Sequence, residues 1–209
     1  MRFVIGPVPA DSGFEPGPNW SQLREPAPQD FVRRSQVAGL ALGVIALGVW
    51  TSISATPLWP NPTAAVLAAL PIFAGILPLH EAVHGFFHPG WGLSTASIYG
   101  VWPSHGLFYA LYSGELSRNR LLLVLLAPLV CMSAIPLLFS VAVGVPHWLV
   151  VEVAILSACI AGGDVTAIVI VLAQVPANAF IRNVGYYTWW RPASGSDAAA
   201  QQGVEADEA

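Results

Sequence analysis

Lysine is absent from this chain, and charge of either sign is scarce: eight arginines and twelve carboxylates among 209 residues, 10% in all. A soluble globular domain carries roughly 25% charged residues. Hydrophobic residues make up 55% and the mean hydropathy is +0.63. So few charges cannot cover a surface that faces water on all sides. That excludes a soluble enzyme, a coiled coil and a disordered protein. The formal net charge is −4 and no basic stripe exists, so no nucleic acid is expected as a partner. Cysteine is limited to Cys131 and Cys159, both in apolar runs. A disulfide framework or a cysteine metal site is excluded on that ground. No apolar run of adequate length follows Arg2, so the opening residues do not read as a signal peptide.

The charges that exist are segregated. Between Ser35 and Val175 only Glu81, Glu115, Arg118, Arg120, Glu152 and Asp164 remain. Four runs there are long enough to cross a bilayer, which takes about 20 apolar residues. They lie near 36–54, 62–88, 119–143 and 147–174. The breaks are Pro57, Pro60, Asn61 and Pro62, then the longer stretch 89–118, then Gly144 to Pro146. With four spans, all eight arginines fall on one side: four before Ser35, Arg118 and Arg120 in the long connection, Arg182 and Arg191 after the last span. The positive-inside rule places that side, and both termini, in the cytoplasm. The chain therefore reads as an all-α multi-pass protein of the cell membrane, with four transmembrane helices and the lipid bilayer as its surroundings.

The parts outside the spans read differently from one another. Residues 1–34, rich in Pro and Gly, form a poorly ordered cytoplasmic arm. Residues 35–192 form the membrane-embedded domain. Residues 193–209 form an acidic tail without a cation, expected to be disordered. Within the long connection, Ser94 to Trp102 and Leu107 to Tyr112 are rich in Val, Ile, Tyr and Phe and are parted by turn formers. They predict a small β-hairpin over 94–112 at the cytoplasmic surface, with an irregular loop as the competing reading. Phe180 to Trp190 is dense in aromatics beside Arg182 and Arg191 and reads as an interfacial anchor.

The second span carries His80-Glu81-Ala82-Val83-His84. Residues four apart share one face of a helix, so two imidazoles can point at one ion. Glu81 follows the first and lies near the ion without having to bind it. It can then take a proton from water there. Glu81 is also the only charged residue between Ser35 and Gly114. A carboxylate inside a membrane span is costly and marks function by default. The competing reading is a hydrogen-bonded polar cluster that joins helices.

Catalytic zinc takes three protein ligands and keeps a fourth position open. His88 continues the series along the same helix, but one helix cannot readily wrap three such ligands around an ion; an interfacial place near the helix end suits it better. Depth separates the acidic candidates. His80 lies 18 residues after Pro62 and Asp164 lies 17 after His147, or ~27 and ~26 Å along parallel helices. Glu152 is only five residues in, near the opposite surface, and reads as an interfacial carboxylate. His80, His84 and Asp164 are thus the expected ligands, with Glu81 as general base. Pairing with a polar group of a neighbouring helix is the alternative for Asp164.

The motif HEAVHG on an apolar span, a polar β-like connection, LSRNRLLLVLLAPLV and a later AGGD resemble the putative zincin peptidase family. This is a bacterial and archaeal membrane family, similar more distantly to the site-2-protease group of intramembrane metalloproteases. The resemblance covers roughly Ala74 to Tyr187. It implies a zinc-dependent peptidase with His80, His84 and Asp164 on Zn2+ and Glu81 catalytic.

The function expected is hydrolysis of a membrane-associated protein substrate. The hairpin could hold an extended substrate by adding it as a strand, and His105 in its turn could donate to the oxyanion. Two rivals stand beside this. One is a non-catalytic metal-binding scaffold that binds a partner. The other is a metal transporter, against which stands the presence of a single ligand cluster.

Overall fold

A computed structural model describes residues 1–9, 13–54, 57–59, 61–105, 107–144, 147–185 and 187–193. Its frame is helical. Helix α1 spans Pro28–Ile53 and α2 spans Pro62–Phe86. Helix α3 (Arg118–Leu129) continues through a π-helical turn, Val130–Ala134, into α4 (Ile135–Val143). Helices α5 (Trp148–Ile160) and α6 (Gly162–Gln174) follow with a 41° bend between them. Three helical stretches are thus long and apolar enough to cross a membrane, or four if the bent pair counts as one.

Local chemistry sets these boundaries. Pro62 opens α2, where its missing N–H costs nothing, and the Asn61 side chain accepts from the Ala64 amide at 3.1 Å. Ser117 caps α3 by accepting from the Arg120 amide, and His147 caps α5 by accepting from the Leu149 amide. Gly144, with φ of 77°, closes α4 in the left-handed conformation. The π turn falls between Pro128 and Pro136, the two prolines that signal a bent third span. Proline interrupts the regular ladder, and a widened turn accommodates the mismatch.

Two sheets cap one end of the bundle, so an all-helical description needs correction. The first has the order β1-β3-β4, from Arg2–Ile5, Ser97–Trp102 and Leu107–Tyr112. Its β3–β4 hairpin lies where the sequence predicts one. Strand β1 comes from the arm expected to be poorly ordered, and it pairs parallel to β3 from Arg2↔Ile98 to Ile5↔Val101. A strand whose partner lies nearly a hundred residues away has no local signature. The same arm supplies β2 (Ser21–Gln22), and α1 begins at Pro28, ahead of the expected span start near 36. Pro28 at the first helical position fixes that start.

The second sheet has the order β2-β7-β6-β5, with β5 at Leu116–Ser117, β6 at Ala179–Val184 and β7 at Tyr187–Pro192. The aromatic stretch read as an anchor is therefore a hairpin. Its buried Ala179 and Ile181 join Leu23, Leu116, Leu121, Val171 and Val175 in one core, which ties this sheet to α3 and α6. The acidic tail beyond residue 193 lies outside the described residues.

A second core lies at the other end, around Trp50, Val151 and Ala154. There Glu152, at the end away from the motif, is buried within the protein. It is 8% exposed and accepts a 2.6 Å hydrogen bond from the Trp59 indole. The pair pins the α1–α2 connection onto α5. Glu152→Leu strands the indole N–H and lowers stability by about 1–3 kcal/mol, whereas Glu152→Gln keeps an acceptor and loses less. Unfolding midpoints in detergent measure the difference.

Candidate metal centre

Helix α2 delivers His80 and His84 one turn apart, both buried, at 3% and 6% exposure. Their Nε2 atoms lie 3.2 Å from each other. Helix α6 brings Asp164 to the same point, with Oδ2 3.0 Å from His80 Nε2 and Oδ1 3.2 Å from His84 Nε2. The structure thus brings together the three residues singled out from motif and depth. Glu81 stands beside them: His80, Glu81 and His84 offer ligand-capable atoms that all lie within 4.8 Å of one another.

The donor set fits a small divalent cation. A tetrahedral zinc site with bonds of ~2.0–2.1 Å to nitrogen and oxygen places its ligand atoms ~3.3–3.4 Å apart. The two imidazole nitrogens stand 3.2 Å apart, close to one such edge, and each has its own Asp164 oxygen at 3.0 or 3.2 Å. The electronic arrangement agrees. His84 Nδ1 lies 2.8 Å from the Val124 carbonyl oxygen, so Nδ1 carries the proton and donates. In the neutral ring Nε2 then holds a lone pair. It faces a carboxylate oxygen and a second imidazole nitrogen. A lone pair, a carboxylate and a second imidazole gathered in one buried place are a donor set that can hold a cation.

Asp164 reaches this point because the fourth span is broken. Ala161 separates α5 from α6, and Asp164 sits in the first turn after the break. Helix α1, which supplies no ligand, braces it. Gly39 and Gly162 meet backbone to backbone: a side chain on Gly162 would strike the Ser35 carbonyl and the backbone of Gly39. A side chain on Gly39 would strike the Cys159 carbonyl. Such close approach requires glycine on both sides.

Other residues fall outside the cluster. His88 lies just past the end of α2 and is buried in the protein at 2% exposure. Its ring packs near Tyr112, with centroids 5.5 Å apart. His105 ends the turn Pro103–His105 between β3 and β4, and its side chain lies outside the described residues. Two contributors have no motif to announce them, the Val124 carbonyl and the Ala110 backbone. The latter lies within hydrogen-bonding reach of the Glu81 carboxylate.

Two imidazoles one turn apart, a carboxylate from another helix and a glutamate beside them are the parts of an HExxH metallopeptidase centre. The chain belongs to the putative zincin peptidase family, whose model matches residues 73–180, just over half its length. That stretch contains His80, Glu81, His84 and Asp164. No curated protein and no solved structure matches the chain.

The brace gives a paired expectation. Gly162→Ala forces α1 away from the break and weakens zinc binding about 10-fold or more, the scale on which supporting groups act at metal sites. Gly163→Ala, where an added Cβ meets nothing within 4 Å, leaves binding unchanged. Zinc titration against a competing chelator reads both.

Proposed function

We propose that this chain is a membrane-embedded zinc metallopeptidase that hydrolyses peptide bonds of a membrane-associated protein, with Glu81 as general base. The observation that carries this reading is the meeting of His80 and His84 Nε2 with the two Asp164 oxygens at 3.0 to 3.2 Å, with Glu81 beside them. A site built only to hold metal has no use for that fourth, flanking carboxylate.

The bilayer setting rests on the apolar helices and on what they leave uncovered. Val37, Leu40, Val44 and Ile45 of α1, and Val66, Leu67 and Leu70 of α2, are all more than 60% exposed. Unpaired surfaces of this kind need lipid as their solvent. The arginine distribution places the motif end of the bundle, with its sheets and both termini, at the cytoplasmic face.

When bound, zinc supplies Lewis acidity: it lowers the pKa of water to ~7 and polarises a carbonyl. The chain's own residues do the rest. Glu81 takes a proton from the attacking water as the carbon–oxygen bond forms. It returns that proton to the nitrogen as the carbon–nitrogen bond breaks. Glu81 can serve both steps because it is held beside the ligands rather than among them.

The substrate must present a free carbonyl, which a helix does not. Strand β4 offers a means to extend it. Tyr99 pairs with Ala110 across the β3–β4 ladder. If the Ala110 amide serves Glu81, it points away from β3, toward the outer edge of β4. Among the described residues that edge has no strand partner. A substrate strand added there would run beside the general base.

Zinc content and cleavage together test the proposal. Glu81→Gln is expected to retain zinc and to lose cleavage of a peptide substrate by about 10²–10⁴-fold, the usual contribution of a positioned base. His84→Ala is expected to lose both. Full cleavage by Glu81→Gln overturns the assigned base. Zinc bound by the wild type, with no cleavage of any substrate trapped on Glu81→Gln, favours the scaffold instead.

A further inference from the structure

We propose that Pro128 is a positioning residue for His84. It frees the backbone carbonyl that fixes the His84 tautomer. The proposal rests on the reading of His80, His84 and Asp164 as a metal site and adds a device that sets its geometry.

The observation is one of register. In an α-helix the carbonyl of residue i accepts from the N–H of residue i+4. For Val124 in α3 that donor is residue 128, which is proline and has no N–H. Val124 is 4% exposed, and Pro128 is among the fully buried side chains. A carbonyl left without its helical donor in such a place is costly unless another donor reaches it. The donor that reaches it is His84 Nδ1, at 2.8 Å. A buried bond within α3 has been exchanged for a bond to α2. The exchange fixes two things at once. It puts the proton of His84 on Nδ1, which leaves the Nε2 lone pair for the ion, and it sets the rotation of the ring toward Asp164.

Proline in a helix interior is normally a burden, so the test has an unusual sign. Pro128→Ala restores the N–H toward the Val124 carbonyl. The helix gains a bond, and His84 gains a competitor for its orienting acceptor. The full-length protein in detergent is compared as wild type, Pro128→Ala and Pro136→Ala. Pro136 lies beyond the π turn, and its own freed carbonyl, that of Met132, is eight residues from Val124.

Three quantities are read: the zinc Kd by chelator competition, the melting temperature of the metal-free protein, and the protonation of His84 Nδ1 by nitrogen NMR of histidine-labelled protein. For Pro128→Ala the metal-free melting temperature is expected to hold or rise. Zinc binding is expected to weaken about 10–100-fold, and the Nδ1 signal is expected to leave the protonated range. Pro136→Ala is expected to keep the zinc Kd within about twofold, as distance from the motif predicts. An unchanged Kd in Pro128→Ala overturns the proposal. So does a weaker Kd accompanied by a fall in melting temperature, which reports damaged packing, or an equal loss in Pro136→Ala. If the wild type itself binds no zinc, the metal-site reading fails first.

Discussion

The structure turns on a concentration of electron pairs inside an apolar bundle. His80, His84 and Asp164 meet at 3.0 to 3.2 Å, in a region where burying even one polar group without a partner is unfavourable. Much of the surrounding architecture is concerned with bringing two helices to that point. Helix α2 supplies the two imidazoles by its own periodicity. The α5–α6 pair is bent where α6 brings in Asp164, and α1 comes close enough to brace the bend only because Gly39 and Gly162 have no side chains. A helix with no chemistry of its own thus shares in setting the site.

The two ends of the molecule divide the work. At the end away from the motif, Trp50, Val151 and Ala154 pack together, and Trp59 holds Glu152 by one short bond. At the motif end, both sheets cover the bundle, and β4 runs against α2. The strands are therefore gathered at the motif end. The long helices carry the apolar surface, and among the described residues the outer edge of β4 has no strand partner.

The site was more legible in the sequence than the fold. His80, Glu81 and His84 declare themselves by spacing. Asp164 follows from counting residues into a helix that runs parallel to α2, since rise per residue is nearly constant. The sheets were only half visible. The β3–β4 hairpin has local turn formers and β-favouring residues, whereas β1 and β2 depend on partners that lie nearly a hundred residues away or more. For His88 and Glu152 hydropathy gives depth along a span and not which way a side chain turns, so their burial within the protein was not legible. The Val124 carbonyl belongs to no motif, yet proline four residues later is a mark that can be read without coordinates.

The parallel pairing of β1 with β3 also orders events as the chain is made. Residues 2–5 cannot find their place until residues 97–102 exist, and α1 and α2 are both synthesised in between. A parallel neighbour always needs such a crossover, and here the crossover is a pair of apolar helices. The earliest residues of this sheet therefore wait for a partner made after two long helices. The histidine pair on α2 is finished before the strand that closes the far edge of its cover is in position.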